Sequence, residues 1–187
     1  MEEKVILAAW EEVKLHSLRF TMSDVTRRLR MSKSSLYKLA SSKDELIHEM
    51  LDHVMEQFNR EQRRIEDSKL PLMMRIEHFI QSYLSFVQHM FSTGFYSDLK
   101  LSYPEEALRW DNFYEAKVND VMNLLQEGVV KGSFRPISLP VVQHCLYVSA
   151  AALTDSEFLR KNNLTYEQAI TTLQDLLFHG LLTKQKE

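Results

Sequence analysis

The stretch TMSDVTRRLRMSKSSLYKLASSKDELI, which runs from Thr21 to Ile47, decides the fold. Its apolar spacing predicts short helices over residues 23–29 and 33–39, ahead of a long helix that begins near Ser42. Another helix is predicted upstream, over residues 3–15. Three short helices followed by a long one are the layout of a helix-turn-helix module. In that module the third helix enters the major groove of DNA.

The same region carries the positive charge of the chain. Residues 14–43 hold eight Lys and Arg residues against Asp24 alone, a net charge of +7, whereas the whole chain of 187 residues has a net charge of −3. A basic segment on an otherwise acidic protein is typical of a protein that binds a polyanion. An ordinary solvated face is the alternative, and charge alone does not choose between them.

The segment resembles the DNA-binding domain of the tetracycline-repressor (TetR) family of bacterial regulators, whose usual pattern is T-x-x-D-I-A-x-x-A-G-V-S-x-G-x-L-Y-x-Y-F-x-S-K-E-x-L. The matching residues are Thr21, Asp24, Val25, Met31, Ser32, Leu36, Tyr37, Ser42, Lys43, Asp44 and Leu46. The resemblance implies a cytoplasmic transcriptional repressor that binds a palindromic double-stranded operator as a homodimer. It also implies that a small-molecule effector releases the repressor.

Four departures from the family pattern concern the turns and the third helix. Arg30 and Ser17 stand where the family usually has Gly, and Ser34 replaces another Gly. Leu39-Ala40 replaces the common Tyr-Phe. If the family turn is kept, Arg30 takes a left-handed conformation at a cost of about 1 kcal/mol.

We expect the DNA contacts to lie on the third helix and at the ends of its neighbours. The exposed side of that helix can reach base edges and phosphates. The resemblance assigns Tyr37 to a phosphate. The first turn of the fourth helix, at Lys43, favours an anion because of its free N–H groups and the helix dipole. The predicted DNA-binding residues are Thr21, Ser32, Lys33, Ser34, Ser35, Tyr37, Lys38 and Lys43.

The rest of the chain predicts more helices and no strands. Four Gly and four Pro residues are few for a chain of this length, which favours helices. The sequence Thr165 to Gln168 is a capping box that opens a last helix. We therefore predict an all-α fold of about nine helices. Residues 1–47 form the DNA-binding domain, and residues 48–187 form a helical domain for ligand binding and dimerisation.

The middle helices are rich in aromatic and Met residues. The resemblance implies an effector pocket here, and this composition suits an apolar or aromatic ligand. The alternative is that these residues are ordinary core. The predicted ligand-binding residues are Phe79, Tyr83, Phe86, Met90, Trp110, Phe113, Tyr114 and Met122.

The last two helices carry more apolar residues than one buried stripe requires. In the resembled family these helices form a four-helix bundle across a twofold axis. The alternative is burial within the monomer. The predicted dimer-interface residues are Leu146, Ala150, Leu153, Leu173, Leu176 and Leu177.

Other functional classes find no support in the sequence. No phosphate loop, nucleophile elbow or paired-carboxylate motif indicates an enzyme, no histidine spacing indicates a metal site, and no cofactor is expected. No window is apolar enough to span a membrane. The single cysteine, Cys145, lies in an apolar helix and is expected to be a small core residue.

Two alternatives to a DNA-binding regulator stay open. Arg30 and Leu39-Ala40 are compatible with an adaptor that keeps the fold and binds a protein partner. The aromatic middle helices are compatible with an apolar-ligand carrier, or an all-α enzyme, that does not bind DNA.

Overall fold

The computed structural model describes residues 1–91, 94–153 and 156–181, with side chains except at 83–91, 150, 151, 156, 178 and 181. Within these residues the chain forms ten α-helices and one short 3₁₀ turn, and no β-strand. The predicted all-α class is therefore confirmed.

The N-terminal helices follow the predicted order. They are α1 (Glu3–His16), α2 (Met22–Leu29), α3 (Lys33–Tyr37) and α4 (Lys43–Glu66), with the 3₁₀ turn at Ser17–Arg19. α3 ends two residues earlier than predicted. The main-chain N–H groups of the next residues, at 39 and 40, donate back to the carbonyl of Leu36 and close the turn.

Six helices complete the chain. They are α5 (Leu72–Phe91), α6 (Phe95–Ser102), α7 (Pro104–Val130), α8 (Leu139–Ala152), α9 (Ser156–Lys161) and α10 (Tyr166–Leu181). The sequence missed the short α9, whose six residues are too few to show a helical period. The capping box before α10 is confirmed: the Gln168 N–H donates to Thr165 Oγ1 at 3.1 Å, and the Thr165 N–H donates to Gln168 Oε1 at 2.8 Å.

The chain packs as two compact units. The first comprises Met1–Arg60 and Thr93–Phe113, and the second comprises Glu61–Ser92 and Tyr114–Glu187. The first unit therefore holds the whole helix-turn-helix segment together with α6 and the beginning of α7. The functional division after residue 47 stays a prediction, because packing and function need not change at the same residue.

An apolar core orients the short helices of the first unit. Val25 of α2, Leu36 of α3 and Leu46 of α4 are all fully buried. α6 adds Phe95, which is buried and lies 5.1 Å from the ring of Trp10 in α1. Because α3 has only five residues, this burial of Leu36, and not its own hydrogen bonds, holds it in place.

A second contact ties α6 to the turn after α1. Ser17 Oγ donates to Asp98 Oδ2 at 2.5 Å, and Ser17 is buried with φ 51°. Ser17, which stands where the family usually has Gly, therefore has the positive φ that favours Gly.

The second unit has a separate core in which one glycine is required. The Phe134 ring packs so closely on α7 that a Cβ added at Gly128 would lie 2.2 Å from it. Phe134 is 2% exposed, and its N–H donates to the Gly128 carbonyl at 3.1 Å. Ile76 and Leu125 are fully buried in the same unit.

Candidate nucleic-acid interface

The turn between α2 and α3 is a Schellman motif with an arginine in the glycine position. Arg30 has φ 53° and ψ 40°, as the sequence predicted. The Met31 N–H donates to the Thr26 carbonyl at 3.0 Å, and the Arg30 N–H donates to the Arg27 carbonyl at 3.3 Å. These two bonds define the motif, which normally ends in Gly because a Cβ in this conformation costs about 1 kcal/mol.

The start of α2 is fixed by a capping box. The Asp24 N–H donates to Thr21 Oγ1 at 3.3 Å, and the Thr21 N–H donates to Asp24 Oδ2 at 2.8 Å. The Thr21 hydroxyl also donates to Asp24 Oδ2, at 2.7 Å, and this bond together with the one from the Thr21 N–H holds the pKa of Asp24 below its usual value. Thr21 thus has a structural role beside its predicted phosphate contact.

α3 presents one buried residue and an exposed polar face. Leu36 has no exposed surface, whereas the ring of Tyr37 is 48% exposed. Ser32 caps the helix by accepting from the Ser35 N–H at 3.1 Å. The predicted side chains that are exposed on or beside α3 are Ser32, Lys33, Ser34, Ser35, Tyr37 and Lys38.

Half of the basic residues in the +7 segment are held by internal partners. Arg27 pairs with Asp24 at 3.0 Å, and Lys14 pairs with Glu11 at 2.5 Å. Arg28 and Lys43 are also held, as described next. For the other four basic residues no internal partner is found within the described part of the chain: these are Arg19, Arg30, Lys33 and Lys38.

Arg28 joins α2 to α1 through a buried carboxylate. Its Nε donates to Glu12 Oε1 at 2.6 Å, and Glu12 is 6% exposed. His16 Nε2 lies 3.8 Å from the other carboxylate oxygen. Because a buried carboxylate needs a paired cation, Arg28 stabilises the module and is less available to DNA.

The side chain of Lys43 is also held by contacts inside the module. Its Nζ donates to the Leu18 carbonyl and lies 4.7 Å from the centroid of the Phe20 ring. Partial burial lowers the pKa of Lys43, and Asp44 opposes that shift. The Lys43 side chain is therefore engaged within the module, and the predicted phosphate contact at this helix end would rely chiefly on the main-chain N–H groups of residues 43 and 44, because the Glu45 N–H donates to Ser42 Oγ.

The cap of α4 at Ser42 is not a reciprocal capping box. Ser42 Oγ accepts from the Glu45 N–H at 3.0 Å, as a cap should. The Glu45 carboxylate, however, accepts from the N–H and hydroxyl of Ser41 and not from Ser42. These two bonds lower the pKa of Glu45.

The structure separates the predicted ligand-binding residues. Trp110 is 1% exposed and packs against Phe113 in the core of the first unit. Phe79, Tyr114 and Met122 belong to the second unit. The side chains of the remaining predicted residues lie outside the described ones: these are Tyr83, Phe86 and Met90.

Three openings in the second unit bear on ligand binding, and one of them, of about 300 Å³ between α7 and α8, shares Tyr114 and Tyr147 with the crevice described next. An apolar crevice of about 20 Å³ lies between α5, α7 and α8, and Tyr114 and Met122 are among its walls. A polar groove of about 610 Å³ is lined by the end of α4, by α5 and by α10. The groove was missed by the sequence analysis, because its polar residues, such as Arg64 and His78, are indistinguishable from a solvated face until the helices are assembled.

The predicted dimer residues in and beside α8 and α10 differ in their exposure to solvent. Leu176 is 67% exposed, and α8 also exposes Val141, Tyr147 and Val148. The side chain of Ala150 lies outside the described ones. The half-buried members of the predicted set are Leu146, Leu153, Leu173 and Leu177.

The expectation that Cys145 is a core residue is wrong, because its side chain is exposed. α8 is apolar around most of its circumference, so composition did not show which face packs inward. The exposure of Tyr147 and Val148 on the same helix has the same explanation.

Two absences hold within the described residues. No group of three or more His, Cys, Asp or Glu residues there is arranged to hold a metal ion. None of the helices described has the length and apolar character needed to cross a membrane.

Known proteins are similar to this chain both at its N-terminal end and over its whole length. Residues 5–50 match the model of the family described as bacterial regulatory proteins, tetR family. A relative in Bacillus subtilis (strain 168), the uncharacterized HTH-type transcriptional regulator YvaF, is 25% identical over 191 residues. That alignment covers 100% of this chain and 98% of the relative.

Solved structures share the fold across both units. A transcriptional regulator from Saccharomonospora viridis in complex with choline matches with a TM-score of 0.80 at 13% identity, covering 97% of each chain. The regulator FadR from Bacillus subtilis in complex with stearoyl-CoA matches with a TM-score of 0.71 at 14% identity, covering 96% of this chain and 99% of its own.

We predict that Lys43, which makes internal contacts, stabilises the module, whereas the exposed Lys38 does not. Lys43→Ala loses a charged hydrogen bond and a cation–π contact, and we expect it to lower the free energy of unfolding by about 1–2 kcal/mol. Lys38→Ala, at an exposed site, should change it by less than about 0.5 kcal/mol. Urea unfolding followed by tryptophan fluorescence measures both, since Trp10 and Trp110 lie in the first unit. Equal urea midpoints for the two variants would show that Lys43 is not a structural residue.

Proposed function

We propose that this chain, whose residues 5–50 match the model of the tetR family of bacterial regulatory proteins, is a transcriptional repressor released from its operator by a small apolar or aromatic effector. The observation that carries the proposal is the face of α3. Lys33, Ser34, Ser35, Tyr37 and Lys38 are exposed together on a helix that one buried residue holds in place.

The chemistry of this face fits both kinds of DNA contact. Lysines bind phosphates as point charges, and their contacts release counterions. Serine hydroxyls accept and donate at base edges in the major groove. Tyr37 offers a rigid ring with a phenolic hydroxyl, which suits a phosphate. We propose that Lys33 and Ser35 read bases, while Tyr37, Lys38 and the first turn of α4 contact the phosphate backbone.

DNA binding is tested with the region upstream of the gene that encodes the chain. Lys38→Ala should weaken binding to specific and random DNA alike and make the salt dependence shallower by about 0.9 in log–log slope. Lys33→Ala should instead change which operator variants bind best. Titrations between 50 and 200 mM salt measure both effects, a range over which several phosphate contacts change affinity by orders of magnitude. Lys131→Ala, on the second unit beside Glu127, is the control.

The specific-regulator proposal fails if the wild-type protein prefers its upstream region no more than random DNA. Retention of the fold without DNA binding would favour the protein-binding adaptor.

We propose a homodimer that forms through the exposed apolar residues of α8 and α10. Leu176, Val141, Tyr147 and Val148 each expose about half or more of their surface. Exposed apolar side chains of this kind support an interaction surface. A twofold pairing of these helices gives the repressor two copies of α3, which a palindromic operator requires about 34–36 Å apart.

The dimer is tested by placing a charge in the proposed interface. Leu176→Glu should produce a monomer or an aggregate, because an unpaired carboxylate would be buried between apolar helices. Leu101→Glu, at a position 84% exposed on α6, is the matched control and should keep the wild-type mass. Light scattering at micromolar concentration gives the masses. A monomeric wild-type protein would exclude the proposed dimer.

The apolar crevice of the second unit is the proposed effector site. It is bounded by Ile80 of α5, by Val118 and Met122 of α7, and by Leu146 of α8. Ligand pockets usually enclose about 300–1,000 Å³, far more than the 20 Å³ here. An effector therefore has to separate these helices. A ligand that fits only the opened form shifts the protein toward that form by its difference in affinity.

The neighbour solved with stearoyl-CoA supports a long apolar ligand as the first probe for this site. Long-chain acyl-CoA and aromatic compounds should include one that lowers DNA affinity of the wild-type protein. Met122→Phe, which narrows the crevice with little overpacking, should bind DNA normally and lose this response. The variant Asn123→Ala, at an exposed position on α7 outside the crevice walls, should respond as the wild type does. A Met122→Phe protein that is released at the wild-type concentration would rule out the crevice as the effector site.

A further inference from the structure

Arg30 occupies a backbone position that favours glycine, and it keeps a charged side chain there. Its φ of 53° and ψ of 40° lie in the left-handed region, and the two Schellman hydrogen bonds fix that conformation. Strained residues of this kind cluster at functional sites. The side chain is exposed, so burial in the core does not explain it.

We infer that Arg30 is a further DNA-contact residue, whose guanidinium binds a backbone phosphate beside the groove that α3 enters. The inference rests on the proposed function. Where the family has its usual glycine at this position, no side chain is present to make such a contact.

The first support is charge availability. The two other arginines at the end of α2 are engaged: Arg27 pairs with Asp24, and Arg28 pairs with the buried Glu12. Arg30 has no ion pair within the described residues. Of the three arginines at the end of α2, it is therefore the one whose guanidinium is available to an external anion.

The second support is position. Arg30 ends α2, and Ser32, two residues later, caps α3. A side chain on this turn thus starts beside the helix whose exposed face carries Lys33, Ser34 and Ser35. Guanidinium groups bind phosphate through two parallel N–H donors. A contact to the phosphate backbone orients α3 without reading the sequence.

The substitution Arg30→Gly separates the two roles of the residue, because it changes stability and DNA binding in opposite directions. Gly adopts the left-handed conformation freely, so the variant should unfold at a higher urea concentration than the wild type. Loss of one phosphate contact should weaken binding about fivefold on every DNA sequence and make the salt slope shallower by about 0.9.

Two further variants control the experiment. Arg30→Lys keeps the charge and should retain most of the salt slope. Asn163 has φ 52° and is exposed in the second unit, so Asn163→Gly relaxes a left-handed residue without removing a charge. It should bind DNA as the wild type does.

The outcomes separate this inference from the proposed function. A wild-type protein that binds its upstream DNA, together with an Arg30→Gly variant of equal affinity and salt slope, overturns the phosphate contact alone. An Arg30→Gly variant that binds weakly but also unfolds at a lower urea concentration overturns it as well, since Arg30 would then be a structural residue. A wild-type protein that does not bind DNA overturns the proposed function and this inference together.

Discussion

The turn between α2 and α3 is the constraint on which the proposed interface depends. Two main-chain hydrogen bonds, from Met31 to Thr26 and from Arg30 to Arg27, set the angle between the helices. Leu36, buried completely, then fixes the rotation of α3 about its own axis. A helix of five residues has almost no stability of its own. The direction of its exposed side chains is therefore set by this turn and by the packing of Leu36.

Charge in the module serves two purposes, and only one of them is visible in the sequence. A net charge of +7 over residues 14–43 predicts attraction to a polyanion. Arg28 and Lys43, however, hold the module together through Glu12 and the Leu18 carbonyl. Fewer cations are thus free for DNA than the count indicates, and those without a described partner include Lys33 and Lys38 of the α3 region, together with Arg30.

The second unit joins a well-filled core to open apolar faces. Phe134 fills the space that the missing side chain of Gly128 leaves, which locks the end of α7 to the segment that follows it. α8 and α10 instead leave residues such as Tyr147 and Leu176 exposed. Burial of these faces is worth roughly 25 cal/mol for each Å² of apolar surface removed from water. This free energy is the physical basis of the proposed dimer.

The sequence by itself determined the all-α class, the approximate bounds of the N-terminal helices, the exposed face of α3 and the left-handed backbone at Arg30. Each of these follows from local chemistry: apolar spacing, capping side chains and the turn that the motif requires. Tertiary structure alone decided that Cys145 is exposed, that Trp110 belongs to the core of the first unit, and that a polar groove opens beside α10. These facts depend on which helix faces meet. A helix that is apolar on several sides, as α8 is, does not specify which of them will be covered.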